Sequence, residues 1–225
     1  MLIELSYEFA ENIPVYPGSP HERFRGVQMI EKGDVCNASV IEHYTHAGTH
    51  VDAPYHFDNE GRTIDEIPIA DFLFERPVII ECPLEASGLI LVDHILNNPN
   101  VSGADILFFH TGYAEKRSDT RIYTGDFPAL SKEAALFIRN ELASVKAVAI
   151  DTLSIESSVQ GAPLNFPVHK ALLDMKVSSK RTLLIFEDVN IARLIGRDVQ
   201  KIYSFPLRLR GLEGSPVSMV AEVRQ

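Results

Sequence analysis

Apolar residues along this chain fall mostly in short runs or in alternation with polar ones, and seldom at helical spacing. Segments 2–7, 24–30, 37–44, 77–82, 105–110, 146–151, 181–186, 201–209 and 217–223 are rich in β-branched and apolar residues and are predicted to be strands. Val78-Ile79-Ile80, Ile106-Leu107-Phe108-Phe109 and Val148-Ala149-Ile150 are continuous apolar runs, suited to strands covered on both faces. Helical spacing is clearest over 131–143, where Ser131 is a natural N-cap, Glu133 sits in the first turn and Leu136, Phe137 and Leu142 give a partly apolar stripe. A shorter helix is predicted over 91–97, and a third over 167–175 with Pro167 in its first turn. Strands outnumber helices in a mixed order. That points to an α/β or α+β chain with a large, partly antiparallel sheet flanked by a few helices. No repeat or linker-like stretch divides residues 1–225, which read as a single domain.

Composition narrows the classes. A chain of 225 residues with 45% hydrophobic and 23% charged residues is ordinary globular material. It can bury about 70% of its unfolded surface, so it needs no disulfide or metal merely to fold. The net charge of −10 leaves no basic footprint for nucleic acid and disfavours an anionic membrane surface. The densest basic stretch, Leu207-Arg208-Leu209-Arg210, reads as part of a strand. Cys36 and Cys82 belong to no C-x-x-C pair and are expected to be small buried hydrophobes. No apolar run approaches the roughly 18 residues of a spanning helix. The opening Met1-Leu2-Ile3-Glu4 has no basic character of a signal peptide, so the expected compartment is the cytoplasm.

The chemistry is concentrated in one place. His43, His46, His50 and His56 crowd together, with Asp52 interleaved and Gly48 and Pro54 punctuating the segment. Neutral imidazole and carboxylate are ligands for Zn, Mn or Fe, and the lack of a thiolate argues for a catalytic rather than a structural zinc. His50 and Asp52 point the same way if the chain is extended; His46 and His50 share a face if it is helical. Either way three donors converge within one short segment, with Gly48 allowing a close backbone approach and Pro54 stiffening the exit.

The motif His46-Ala-Gly-Thr-His50-Val-Asp52-Ala-Pro54-Tyr-His56 resembles the signature of the putative cyclase family, which includes bacterial kynurenine formamidases and isatin hydrolases. The likeness runs nearly the whole chain, through Pro14-Val-Tyr16-Pro17-Gly18, His110-Thr-Gly-Tyr113, Asp151-Thr-Leu-Ser154 and Phe205-Pro-Leu-Arg208. It implies a swivelling β/β/α-like fold and a homodimer or homotetramer. It further implies that His46, His50 and Asp52 hold one ion, that Asp52 bridges to a second held by His169 and Glu187, and that His56 moves protons. The implied ions are two zincs, with manganese as the alternative. The stretch 176–181 reads as a small insertion, which makes the neighbouring Asp188 a rival to Glu187. Two divalent ions against Asp52, Glu187 and a hydroxide leave a positive surplus suited to a developing oxyanion; a single ion leaves a negative one.

The expected activity is hydrolysis of a small amide. A metal-bound hydroxide attacks an N-formyl or cyclic amide carbonyl, with N-formylkynurenine as the best single substrate. The rivals are a ring-opening or cyclase-type enzyme of the same family and a non-catalytic metal-binding protein. His110 is expected to line the pocket or pack in the core, while His21, His43 and His94 are expected to be structural or exposed. Ser154 lacks a G-x-S-x-G context, so no serine nucleophile is expected, and no phosphate-binding glycine loop is present.

Overall fold

Continuous apolar runs build the centre of the molecule. The structure, a computed structural model, describes residues 1–224. Its strands are β1 (Leu2–Glu4), β2 (Arg23–Gln28), β3 (Ala38–Glu42), β4 (His50–Asp52), β5 (Leu73–Phe74), β6 (Pro77–Glu81), β7 (Leu89–Ile90), β8 (Ile106–His110), β9 (Ala129–Leu130), β10 (Ala147–Ile150), β11 (Leu184–Glu187), β12 (Val199–Pro206) and β13 (Gly214–Val223). Its helices are α1 (Val92–Leu96), α2 (Thr120–Tyr123), α3 (Lys132–Glu141) and α4 (Pro167–Leu173). One nine-stranded sheet runs β5-β12-β13-β4-β11-β10-β8-β6, with β1 also paired to β13. The half from β6 through β8 and β10 to β11 is parallel; β4, β13, β12 and β5 continue it antiparallel. This is the mixed α/β sheet with few helices that the residue pattern predicts.

The sheet curls until its ends nearly meet. β5 and β6 lie at opposite ends of the strand order, yet only Glu75 and Arg76 separate them in the chain. Three Cα steps span at most ~11 Å, so the two edges are neighbours in a nearly closed barrel. The backbone N–H groups of Glu75 and Arg76 donate to the buried Asp105 carboxylate at 2.8 and 3.0 Å, fixing the link. Alternation then sorts the side chains. Ile106, Phe108, Ala147, Ala149, Leu184 and Phe186 fill the barrel interior. Leu107, Phe109, Val148, Ile150 and Ile185 face the helix layer. Ala149 stands in register between Phe108 and Phe186, a small residue that admits two rings. Both phenylalanines are fully buried, each contributing about 1.5–3 kcal/mol.

Several boundaries differ from expectation, each for a visible reason. β11 starts at Leu184 rather than at 181 because the buried Arg139 of α3 holds the segment before it as a loop. Its guanidinium donates to the carbonyls of Ala171, Asp174, Ser178 and Lys180 at 2.7–2.9 Å. Those bonds also satisfy carbonyls at the C-terminus of α4 and hold the 176–181 stretch in place. β12 ends at Pro206, and the Arg208 guanidinium turns back onto the carbonyls of Asp65 and Ile67. β2 and β3 form a separate ribbon, exposed along nearly its whole length, and Cys36 in its loop is exposed rather than buried. Cys82 is buried as expected, and burial pushes its thiol up to about 12. Among the described residues no helix is long and apolar enough to cross a membrane.

Candidate metal centre

β4 settles the geometry that the spacing leaves open. It is extended and lies between β11 and β13, antiparallel to both. Val51 enters the barrel core, so His50 and Asp52 share the opposite face. His46 precedes the strand in a turn, which excludes the helical pairing of His46 with His50. Gly48 makes that turn at φ +64°, and a Cβ there would press to 3.0 Å on the Phe9 ring. Both the left-handed backbone and the close packing require glycine.

Each donor side chain is oriented by a partner. The His50 ring places Nδ1 2.8 Å from the Gly48 carbonyl, which leaves Nε2 turned to Asp52 Oδ1 and Glu187 Oε2, each at 3.4 Å. Glu187 ends β11 directly opposite His50 in register. Its Oε1 accepts from the Ile155 N–H at 2.6 Å and the Ser154 hydroxyl at 3.0 Å. His169, on α4, puts Nε2 3.4 Å from Glu187 Oε1 and 3.7 Å from Asp52 Oδ2. Behind it, Glu156 lies 3.4 Å from Nδ1 and accepts the N–H groups of Val168 and His169, capping the first turn of α4. His46 sets Nδ1 2.8 Å from Asp52 Oδ1 and Nε2 3.2 Å from Glu213 Oε1. His56, at the end of a 3-10 turn opened by Pro54, stacks on His46 with ring centroids 4.0 Å apart.

The structure therefore brings His46, His50, Asp52, His56, His169 and Glu187 into one cluster. Ligand atoms of His46, Asp52 and His56 lie within 4.8 Å of one another, as do those of His50, Asp52 and Glu187, with Asp52 common to both groups. Asp188 is not part of it: its carboxylate is engaged by Arg117 at 2.7 and 3.0 Å. The donor set fits a divalent cation. His50 Nε2 and Asp52 Oδ2 are buried with no hydrogen-bond partner, and buried polar atoms are rarely left so unless a further group belongs between them. Glu213 and Glu156 stand behind His46 and His169 as carboxylates stand behind metal-ligating histidines elsewhere.

Electrostatics point the same way. Burial pulls the His50 pKa down, but Asp52 and Glu187 overcome it and lift it to about 10. Burial and Asp52 push Glu187 up, and the His169 and His50 rings more than reverse that, holding it near 2. Buried carboxylates here recruit positive charge, either protons or metal. For protein stripped by a chelator, the His50 pairing stabilises the fold below its ordinary pKa of 6.5 and is lost as pH rises through about 10. The Glu187 pairing stabilises above 4.5 and is lost as pH falls toward 2. Chelated protein is therefore expected to melt higher at pH 6 than at pH 9. Added Zn is expected to raise the melting temperature more at pH 9, because ligation displaces those protons. Thermal melts at the two pH values check both signs.

Glu156 and Glu213 carry no signal in the sequence; only the topology brings them, with Gly214, here. A Cβ on Gly214 would lie 2.8 Å from His46 Cε1 and 3.3 Å from both ring nitrogens. Gly214→Ala is expected to displace that ring and weaken metal retention by about 10–100-fold, as loss of an orienting partner does. Elemental analysis after dialysis measures it. The other histidines lie elsewhere. His43 Nδ1 sits 2.7 Å from the buried Glu22, His94 accepts from the Leu91 N–H, and His110 lines a different groove beside Lys116. Asp151 anchors the next loop, accepting from Thr111 and Gly112.

His46, His56, His169 and Glu187 line one side of a cavity of about 300 Å³ walled by Tyr16, Tyr44, Phe57, Leu153 and Phe166. The Tyr16 hydroxyl is buried there without a hydrogen-bond partner.

Known proteins share the frame. Isatin hydrolase A from Labrenzia aggregata superposes with a TM-score of 0.84 at 20% identity, covering 100% of this chain and 94% of that one. An isatin hydrolase bound to the product analogue thioisatinate superposes at 0.85 with 15% identity, covering 100% and 92%. These likenesses establish the fold. In sequence, the chain is 25% identical over 218 residues to the kynurenine formamidase of Bacillus mycoides, covering 97% of this chain and 95% of that protein. It is 26% identical over 216 residues to that of Geobacillus thermodenitrificans, covering 96% and 94%. The family profile described as putative cyclase matches residues 3–157, and with more than half its length matched the chain belongs to the putative cyclase family.

Proposed function

We propose that the chain is a metal-dependent hydrolase of a small aryl amide, of the kynurenine formamidase kind. His46, His50, Asp52, His169 and Glu187 would hold two divalent ions, zinc in the first instance. The observation that carries the reading is the pair of buried, unpartnered atoms, His50 Nε2 and Asp52 Oδ2, within a cluster whose His46, His56, His169 and Glu187 line an aromatic-walled cavity. Divalent ions so held supply hydroxide at neutral pH and polarise a carbonyl. Tyr16, Phe57 and Phe166 give an aryl ring flat apolar surface, and the Tyr16 hydroxyl offers it a hydrogen bond. Burial pushes the His56 pKa down to about 4, so the ring is neutral at pH 7 and can take a proton at a ring nitrogen. Passing that proton, taken from the attacking water, to the departing nitrogen lets the C–N bond break to an amine and a carboxylate.

Ring opening of a cyclic aryl amide is the second reading, favoured by the TM-scores of 0.84 and 0.85 to isatin hydrolases. Zn-loaded and chelated protein assayed on N-formylkynurenine, formanilide and isatin tests both. Turnover of a formamide by loaded protein alone is expected. Equal rates with and without metal, or turnover of no aryl amide, would defeat the proposal.

The homodimer or homotetramer belongs to the same proposal. Its support is the β2–β3 ribbon, where the cross-strand partners Phe24 and Ile41 are 38% and 63% exposed. Replacing both with Asp is expected to shift the sedimenting mass toward the monomer.

A further inference from the structure

The end of β11 holds a strained residue that the reaction above does not use. Asp188 follows Glu187 directly, is fully buried and has φ +50°. A non-glycine residue keeps that left-handed conformation only where its surroundings hold it. Arg117 Nε and Nη2 donate to its two carboxylate oxygens at 3.0 and 2.7 Å. The Tyr123 hydroxyl donates to Oδ1 at 2.7 Å. The Asp188 N–H donates to the Thr152 carbonyl at 2.8 Å, and its own carbonyl accepts from Thr49 Oγ at 2.6 Å. Thr49 Oγ in turn accepts from the Tyr7 N–H at 3.0 Å. The Tyr7 ring lies against the Arg117 guanidinium, 3.8 Å from centroid to carbon. Tyr7, Thr49, Asp188 and Arg117 thus form a closed ring of contacts.

Its position is specific. Thr49 immediately precedes His50 and Asp188 immediately follows Glu187, and those two donors face each other in register at 3.4 Å. The register that pairs Glu187 with His50 sets Asp188 opposite Thr49, and the hydrogen bond from the Thr49 hydroxyl to the Asp188 carbonyl ties the entry of one donor strand to the exit of the other. We propose that this ring is the positioning device of the centre, with Thr49 and Asp188 as positioning residues that set the spacing between His50 and Glu187. The proposal rests on the reading of the cluster as a metal centre.

Thr49→Val removes the hydroxyl at nearly constant shape, Thr49→Ser restores it, and Asp188→Asn keeps a residue tolerant of left-handed backbone while removing the charge that Arg117 pairs with. Crystal structures of the chelated proteins and Zn affinities from competition titration are the readouts. Thr49→Val and Asp188→Asn are expected to move the Glu187 carboxylate off its 3.4 Å approach to His50 and to weaken Zn about 10–100-fold, while Thr49→Ser matches wild type in both. An unchanged approach and unchanged affinity in Thr49→Val and Asp188→Asn would overturn it. If Asp188→Asn does not fold, the Val and Ser pair decides alone. A wild-type protein that takes up no divalent ion would remove the metal reading, and the chelated Thr49→Val structure would still judge the ring.

Discussion

His50→Ala is expected to yield protein that no longer carries a divalent ion through dialysis. The ring is 1% exposed, its Nδ1 is committed to the Gly48 carbonyl, and its Nε2 is one of the unpartnered atoms at the centre. Nothing else on β4 can replace it, because Val51 points into the barrel core. Three protein donors are the usual minimum for a catalytic ion, and this change takes the group of His50, Asp52 and Glu187 below that number. Hydrolysis should fall by about 10²–10³-fold, the scale of losing a preorganised electrostatic stabiliser. His21→Ala, on an exposed histidine, is the control and should retain metal and rate. Wild-type stoichiometry in His50→Ala, read by elemental analysis, would remove His50 from the donor set.

His56→Ala is expected to lower kcat by about 10²–10⁴-fold, the usual contribution of a positioned acid or base, while metal content holds. The ring has two possible occupations. It stacks on His46 and its ligand atoms reach those of His46 and Asp52, so it could serve as a third donor. It also lines the cavity, and burial holds it neutral at pH 7. The variant separates the two. Rate lost with metal retained marks proton transfer, whereas metal lost in parallel marks ligation. Because the depressed pKa places protonation on the acid side, the wild-type rate should fall as pH drops toward about 4. That acid limb should be absent from the variant.

The parallel half of the sheet was legible because its strands are covered on both faces and so appear as unbroken apolar runs. β4 was not. His50-Val51-Asp52 is three residues long with two polar members, and it is a strand only because β11 and β13 bond it from either side. The competing helical spacing of His46 and His50 failed on one backbone angle, the φ of +64° at Gly48. Glu187 and His169 could be named through family likeness, and the fold brings both to Asp52, while Arg139 holds the 176–181 stretch that lies between them in sequence. Glu156 and Glu213 are distant in sequence from the rings they orient and follow no local pattern. Residue type suggests burial for Cys36, whereas the ribbon that carries it is exposed along nearly its whole length.

The central place of β4 has a consequence for biosynthesis. Its two bonding neighbours are β11, which starts at residue 184, and β13, which starts at residue 214. At ~5–20 residues per second, a ribosome that has made Asp52 needs many seconds more before either neighbour exists. The donor strand must wait unpaired through most of translation, and its pairings are among the long-range contacts that slow folding. Ion capture by this chain is therefore a late event, possible only once nearly the whole polypeptide has emerged.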